Sequence, residues 1–159
     1  MIKILFVCLG NICRSPMAEG IFLDLIKKQS LQHHFMVDSA GTSNYHSGSL
    51  PDPRMRQKAK EFSIHLTHKA RQLVVEDLQN FNYILAMDRS NYTNILSLEG
   101  PDGKSAEVLL MRSFDDVGND EDVPDPYYGG EAGFTEVYEI LLRSNKALLN
   151  YLIKTHTLR

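Results

Sequence analysis

The chain alternates short apolar runs with amphipathic segments, and this alternation restricts its fold more than any other feature. Residues 2–7 form an apolar, β-branched run, which is typical of a strand buried on both faces of a sheet. A helical stripe follows at Met17, Ile21 and Leu25. Similar strand-like runs occur at residues 35–40, 83–87 and 107–111. Because strands and helices alternate, we predict an α/β fold with a parallel sheet and helices on both faces.

Capping signals indicate where the predicted helices begin. Ser15 followed by Pro16 is typical of an N-cap and the first helical residue, and Asp52 with Pro53 gives the same signal for a second helix. Helical spacing predicts a third helix over about residues 89–98. The buried faces of the second helix and of a terminal helix are predicted to carry Met55, Ala59 and Phe62, and Val137, Leu141, Leu148 and Leu152. A long acidic loop precedes the terminal helix. Apart from Asp125, its acidic residues are interpreted as a solvated face: Asp115, Asp116, Asp120, Glu121 and Asp122.

The size and charge of the chain limit its domains and partners. Its 159 residues predict one domain over 1–159. Seventeen basic residues against 20 acidic ones leave a net charge of −3, which disfavours a nucleic-acid-binding surface. The apolar runs are strand-sized, so no membrane association is expected. Because Cys8 and Cys13 lie too close together to cross-link a fold, we expect a reducing, cytoplasmic compartment, and we expect a monomer.

The loop after the first strand carries the clearest chemical signal. In an open parallel sheet, ligands bind at the carboxyl ends of the strands. Cys8 begins this loop and Arg14 ends it, in a Cys-x5-Arg spacing. Gly10 and Asn11 tolerate left-handed conformations, so the intervening backbone N–H groups can form an anion-binding nest. The residues of this predicted nest are Leu9, Gly10, Asn11, Ile12 and Cys13. The guanidinium of Arg14 can hold two phosphate oxygens at once.

These features identify Cys8 as a candidate nucleophile. The nest, the following helix N-terminus and the guanidinium of Arg14 each stabilise a thiolate. A thiolate that faces a bound phosphorus is placed for covalent phosphoryl transfer. A zinc site is the poorer interpretation because Cys8 and Cys13 supply only half of a structural zinc shell. We therefore expect neither a metal nor a cofactor.

Motifs near both ends of the chain make it resemble a known family. Residues 7–16 read VCLGNICRSP and residues 125–129 read DPYYG. Four further matches lie between them in order, at residues 38–41, 51–54, 68–71 and 86–88. Over essentially its whole length, the sequence is similar to the low-molecular-weight protein tyrosine phosphatases. This resemblance implies a four-stranded parallel sheet, acid phosphatase activity on aryl phosphates, and hydrolysis of phosphotyrosine in proteins through a cysteinyl-phosphate intermediate.

Cleavage of an aryl phosphate also needs an acid that protonates the departing phenoxide. Asp125 is the candidate because Pro124 and Pro126 fix its backbone without a helix or strand. The resemblance implies that Asp125 acts first as the general acid and then as the base that activates water.

Aromatic and polar residues complete the predicted site. Tyr45, Tyr127 and Tyr128 are predicted to wall the substrate ring, with Leu9 and Ile12 at the mouth. Many relatives carry tryptophan at the position of Tyr45, so a different substrate preference is expected. The resemblance implies that a further set supports the loop or the site: Asn11, Ser15, Ser39, His68 and Asp88. The other histidines are interpreted as surface or packing residues: His33, His34, His46, His65 and His156.

Three other functions remain as alternatives from the sequence. A thioredoxin-coupled arsenate reductase of the same fold needs further cysteines, and none follows Cys13. A protein arginine phosphatase carries a small hydroxyl residue where Ile12 stands and lacks the double tyrosine. A non-catalytic phosphoprotein-binding domain is disfavoured because the nucleophile, the arginine and the acid are all present.

Overall fold

The fold is built on one sheet of four parallel strands, seen in a computed structural model that describes residues 1–159. The strands are β1 (Ile2–Cys8), β2 (Phe35–Gly41), β3 (Tyr83–Ala86) and β4 (Glu107–Leu110). Their spatial order is β2-β1-β3-β4, so β1 lies inside the sheet. In register, Cys8 pairs with Gly41 and Val7 with Ala86. All three pairings are parallel, which confirms the predicted sheet and brings the carboxyl ends of the strands to one edge.

Helices cover both faces of this sheet. They are α1 (Arg14–Lys28), α2 (Pro53–Lys60), α3 (Asp77–Asn80), α4 (Arg89–Ser97) and α5 (Glu131–His156), with short 3-10 helices at Gln32–His34 and Met111–Phe114. The short helix α3 was not predicted from the sequence. None of the helices has both the length and the apolar character needed to cross a membrane.

Side chains of β1 alternate between two hydrophobic clusters. Ile4 and Phe6 belong to the larger cluster, which also contains the buried faces of α1 and α5. Leu5 and Val7 belong to a second cluster with Leu78 and other residues around α3 and α4. A strand buried on both faces explains why residues 2–7 lack a polar alternation. The predicted inward face of α5 is confirmed, since these side chains are fully buried: Val137, Leu141, Leu148 and Leu152.

The structure confirms one predicted helix start, contradicts another, and contradicts one prediction about packing. Asp52 does cap α2, because its carboxylate accepts the N–H of Arg54 and Pro53 follows at the first position. Ser15 is not an N-cap: α1 begins at Arg14, two residues before the predicted first helical residue, and the Ser15 hydroxyl contacts Cys8 instead. Phe62 lies beyond the end of α2, where it is 42 % exposed and stacks on Tyr138.

The prediction that all the loop acids are solvated is wrong for Asp115. This carboxylate is fully buried and accepts hydrogen bonds from Arg112 and Arg143. Burial alone would raise the pKa of Asp115, but the hydrogen bond from Arg143 and the other contacts outweigh it, and the pKa is lowered. Asp115 therefore ties the start of the acidic loop to α5.

Candidate active site

The loop that joins β1 to α1, residues 8–14, lies at the carboxyl edge of the sheet and is called the phosphate loop below. Asn11 has a left-handed backbone with φ of 57°, as expected, whereas Gly10 does not have a positive φ. Gly10 is instead closely packed, because a Cβ there would lie 3.1 Å from Cδ2 of His46. A Cβ at Gly41 would lie 2.7 Å from the carbonyl oxygen of Leu9, so the end of β2 supports the loop directly.

Cys8 lies at the base of this loop with its side chain inside the protein. It is 3 % exposed, and its Sγ is 3.0 Å from Oγ of Ser15. The backbone N–H of Asn11 donates to the same Sγ over 3.3 Å. The sulfur of Cys8 therefore has a hydroxyl group and a backbone N–H within hydrogen-bond distance.

Arg14 closes the loop and is held from its outer side. Its Nη1 donates to Oδ2 of Asp88 over 2.7 Å and to the carbonyl oxygen of Val123 over 3.0 Å. Burial by itself would lower the pKa of Arg14, but Cys8 and Asp88 outweigh burial and the pKa is raised. The guanidinium therefore stays charged and is oriented by one of its nitrogens.

Asp125 lies in the loop before α5 and lines the same pocket as Cys8. Its Oδ2 is 3.6 Å from Nη2 of Arg14, and its Oδ1 accepts the N–H of Tyr127 over 3.0 Å. Its side chain is 41 % exposed, so a substrate that enters the site can reach this carboxylate.

Together these residues line a pocket of about 150 Å³. Tyr45 and Tyr128 stand at its rim, 77 % and 94 % exposed, and the ring of Tyr128 is edge-on to that of Tyr127 at 4.9 Å. The lining residues are Cys8, Leu9, Gly10, Ile12, Cys13, Arg14, Tyr45, His46, Asp125, Tyr127 and Tyr128. An aromatic mouth above a buried sulfur and a guanidinium suits a flat ring that carries a phosphate.

A hydrogen-bonded network behind the loop holds Asn11 in its left-handed conformation. The amide nitrogen of Asn11 donates to Oγ of Ser15 over 2.8 Å and to Oγ of Ser39 over 3.0 Å. Its Oδ1 accepts the backbone N–H of Arg71 and lies 3.1 Å from Nε2 of His68. Asn11 is fully buried, so these bonds satisfy a polar group that has no access to water.

Cys13 lies in the pocket lining but in different surroundings from Cys8. Burial, reinforced by the negative charge of Asp52, raises the pKa of the Cys13 thiol far above its ordinary value. Cys13 is therefore a neutral thiol at neutral pH. Both cysteines are free in the structure.

Arg54 connects helix α2 to the aromatic wall of the pocket. Its Nη2 donates to the carbonyl oxygen of Tyr127 over 2.9 Å, and its guanidinium lies 4.8 Å from the ring centre of Phe134. A hydrogen bond to Asp52 is the main reason that the pKa of Arg54 is raised. Arg54 thus fixes the backbone that carries the tyrosine ring.

Comparisons with known proteins agree with this geometry. The family described as "Low molecular weight phosphotyrosine protein phosphatase" matches residues 3–158. The low molecular weight phosphotyrosine protein phosphatase of Schizosaccharomyces pombe is 47 % identical over 138 residues, which cover 86 % of this chain and 88 % of the relative. The chain belongs to this family. It is therefore a protein tyrosine phosphatase, a hydrolase whose substrates are phosphoproteins.

Two solved structures show the same fold. The protein tyrosine phosphatase of Entamoeba histolytica superposes with a TM-score of 0.92 at 39 % identity, covering 98 % of this chain and 99 % of that one. An arginine phosphatase of Drosophila has a TM-score of 0.89 at 35 % identity, covering 94 % and 97 %. The fold therefore does not by itself distinguish a phosphatase of phosphotyrosine from one of phosphoarginine.

Sequence reasoning missed three residues of the phosphatase site. His46, interpreted as a surface or packing residue, lies against Gly10 in the pocket lining. Glu19 accepts the Ser39 hydroxyl over 2.6 Å, and burial raises its pKa to about 7. Arg54 holds the tyrosine wall, as described above. Glu19 lies mid-helix and its spacing carries no recognisable signal, whereas Arg54 lies within the matched segment 51–54, which indicated the family but no role for this side chain.

Proposed function

We propose that the phosphatase hydrolyses phosphotyrosine through a phosphorylated Cys8, and the single observation that carries this proposal is the pairing of Cys8 with Arg14 and Asp125 around one pocket. The Cys8 thiolate attacks phosphorus and forms the S–P bond while the P–O bond to tyrosine breaks. The hydroxyl of Ser15 and the N–H of Asn11 stabilise the thiolate before the attack.

Arg14 and the backbone of the phosphate loop bind the three non-bridging oxygens. These oxygens carry more charge as the bond to the leaving group lengthens, so donors fixed in advance stabilise the transition state. Asp88 and Val123 already hold Nη1 of Arg14, which leaves the remaining donors for two phosphate oxygens.

Asp125 serves both halves of the reaction. In its protonated form it gives a proton to the departing tyrosine oxygen, which has an unperturbed pKa of about 10 and is a poor leaving group as an anion. The resulting carboxylate then takes a proton from the water that attacks the phosphocysteine. Phosphate leaves and the Cys8 thiolate is regenerated, so protons balance over one turnover.

The pocket favours tyrosine over arginine as the phosphorylated side chain. Ile12 places an apolar side chain at the loop, and Tyr45, Tyr127 and Tyr128 offer flat apolar surfaces to an aromatic ring. A phosphorylated guanidinium would gain little from Ile12. Arginine phosphatase activity is the second candidate, since a relative of that description shares the fold.

We also propose where and in what form the enzyme acts. A free Cys8 thiol is required for attack, which favours a reducing compartment such as the cytoplasm. We further propose that the enzyme acts as a monomer.

The first test compares phosphotyrosine, phosphoserine and phosphoarginine peptides side by side with a chelator present. Turnover should be confined to phosphotyrosine and should persist in the chelator. Cys8→Ser should remove turnover while phosphate or vanadate still binds, because the loop donors are mostly backbone groups. Substantial turnover by Cys8→Ser, or faster turnover of phosphoarginine, would contradict the proposal.

The second test addresses Asp125. Asp125→Ala should slow formation of the phosphoenzyme on phosphotyrosine by about 10²- to 10⁴-fold, the usual contribution of general acid catalysis. The nitrophenolate that leaves an activated ester is a weaker base, so the rate of phosphoenzyme formation should fall less on that ester. The measurement is burst kinetics over leaving groups of graded pKa. Asp116→Ala, at an exposed acid of the same loop, is the control and should behave as wild type. An equal leaving-group dependence in Asp125→Ala and wild type would refute the assignment.

A further inference from the structure

An arginine outside the substrate pocket holds the loop that carries Asp125. Arg112 lies in the 3-10 helix that follows β4 and does not line the pocket. Its Nη1 donates to the carbonyl oxygen of Asp122 over 3.1 Å, three residues before Asp125. We propose that Arg112 is a positioning residue for the phosphatase reaction, which fixes the place of the Asp125 carboxyl at the pocket. This inference rests on the proposed role of Asp125 as the general acid.

The acidic loop folds around Arg112. The carbonyl oxygen of Arg112 accepts the backbone N–H groups of Asp115 and Asp120, over 3.0 and 3.1 Å. Its side chain is only 9 % exposed, and its Nε donates to the carboxylate of Asp115 over 3.0 Å. The same guanidinium binds the carbonyl of Asp122, so one buried side chain joins the start of the loop to the residues just before the acid.

Asp115 keeps the guanidinium of Arg112 in one orientation. Its carboxylate is fully buried and also accepts two hydrogen bonds of 3.1 Å from Arg143 of α5. Hydrogen bonds between charged groups are roughly twice as strong as those between neutral groups. The guanidinium of Arg112 therefore cannot turn away from Asp122 without breaking a buried ion pair.

Two neighbouring carbonyl groups of the loop bind two buried arginines. Arg112 holds the carbonyl of Asp122, and Nη1 of Arg14 donates to that of Val123 over 3.0 Å. The N–H of Val123 donates to the carbonyl oxygen of Met87, directly after β3, over 2.8 Å. The loop is thereby fixed against the sheet two residues before Asp125.

Asp125 is held on both sides through the backbone. Pro124 and Pro126 restrict the chain next to it. Beyond it, Arg54 binds the carbonyl oxygen of Tyr127 over 2.9 Å. A general acid must lie within about 2.6–3.2 Å of the atom that it protonates, directly or through one water molecule. A displacement of about 1 Å can cost about 10²-fold in rate, so a shift of the loop would act on catalysis through this carboxyl.

Gly118 leaves the space that the guanidinium of Arg112 occupies. A Cβ at residue 118 would lie 2.6 Å from Cζ of Arg112 and closer still to its Nη2. The substitution Gly118→Ala therefore pushes the guanidinium away from Asp122. The atoms that must move are the end of a flexible side chain, so this change disturbs the fold less than removal of the arginine does.

The test is burst kinetics of phosphoenzyme formation on a phosphotyrosine peptide and on an activated nitrophenyl ester. Arg112→Gln should slow the reaction of phosphotyrosine by about 10- to 10²-fold, and the reaction of the ester by less because the ester needs the acid less. Gly118→Ala should reproduce this pattern with Arg112 still in the chain. Arg56→Gln in α2 and Gly100→Ala before β4 are the matched controls, since neither residue lines the pocket and a Cβ at Gly100 would meet only Val75, at 3.6 Å. Both controls should behave as wild type.

A second background separates positioning from a general loss of structure. In Asp125→Ala, the further substitutions Arg112→Gln and Gly118→Ala should each change the rate on phosphotyrosine by less than about twofold, because no acid is left to position. A loss as large as in the wild-type background would place the effect elsewhere and overturn the proposal.

The same variants distinguish a failure of this inference from a failure of the proposed reaction. If the leaving-group dependence is steeper in Asp125→Ala but unchanged in Arg112→Gln and Gly118→Ala, the positioning role alone is refuted. An unchanged dependence in Asp125→Ala would refute the acid, and the positioning role with it. Urea unfolding shows which variants are folded, and if Arg112→Gln is not, Gly118→Ala decides by the same criteria.

Discussion

Asp88 has two tasks that a pair of substitutions can separate. Its Oδ2 holds Nη1 of Arg14, and its Oδ1 caps α4 by accepting the N–H of Asn91, each over 2.7 Å. Asp88→Asn keeps an oxygen for the cap but presents an NH₂ group or a neutral oxygen to the guanidinium. Asp88→Ala removes both contacts. The two variants should therefore differ in stability but not in catalysis.

The magnitudes follow from the contacts. A hydrogen bond to a charged group contributes about 1.5–3 kcal/mol, which corresponds to about 10- to 150-fold in rate. Because Val123 still holds Nη1 of Arg14, we expect kcat/KM to fall by about 10- to 30-fold in both variants. Both also leave the 3 % exposed Arg14 without its closest carboxylate, so both lose stability. Asp88→Ala should be a further ~1 kcal/mol less stable than Asp88→Asn because the cap is lost.

Steady-state turnover of a phosphotyrosine peptide and urea unfolding supply the two measurements. Asp122→Asn is a matched control: its Oδ1 accepts the N–H of Arg89 at the start of α4 and forms no ion pair with Arg14. This control should keep kcat/KM within about twofold of wild type, since its contribution is confined to a cap. The reasoning fails if Asp88→Asn has wild-type kcat/KM, or if Asp88→Ala is much slower than Asp88→Asn.

Four further predictions concern the acidic loop and the phosphate loop. Asp115→Ala should destabilise the fold by about 3 kcal/mol, because a buried carboxylate between two arginines is lost. Because the pKa of Asp115 is lowered in the fold, its contribution to the free energy of unfolding should be complete above about pH 4 and progressively lost as the pH falls further. Unfolding curves at several pH values will test this. Arg14→Lys should lower kcat/KM by at least about 10²-fold, since an ammonium cannot make two parallel contacts to phosphate. Activity within a few-fold of wild type would show that the paired contacts of the guanidinium are dispensable. After peroxide, dithiothreitol should restore wild type but not Cys13→Ser. In wild type the Cys13 thiol condenses with Cys8 sulfenic acid to give a disulfide and water, whereas in the variant further peroxide oxidises the sulfenic acid to the irreversible sulfinic acid; equal recovery in both would exclude this protection.

The sheet and the starts of α2 and α4 could be predicted because local signals agree with the fold. A run such as residues 2–7 can be buried only inside a covered sheet, and Asp52 with Pro53 marks the start of a helix by its own chemistry. Ser15 misled the prediction because the same hydroxyl that can cap a helix is engaged by Cys8 and Asn11. A tertiary contact decided between two local possibilities.

Pairings between distant residues could not be read from the sequence. Asp115 belongs to an acidic run that is solvated almost throughout, and its burial depends on Arg143, 28 residues away. Glu19 becomes significant only because β2 places Ser39 beside α1. His46 reaches the pocket because the long loop after β2 folds back over Gly10. In each case, the deciding partner is supplied by topology and not by local spacing.

The hydrogen bonds of Arg14 to Asp88 and Val123 have a consequence for the folding of the chain. Partners that lie 74 and 109 residues away meet the guanidinium only after β3 has joined β1 and the acidic loop has closed over it. Non-local pairing of parallel strands is a slow part of folding, so the oriented guanidinium arises late. A partly folded or partly synthesised chain would carry Cys8 in a loop without this fixed cation. Full reactivity of the sulfur is thereby coupled to completion of the fold, which limits indiscriminate thiol chemistry while the protein is being made.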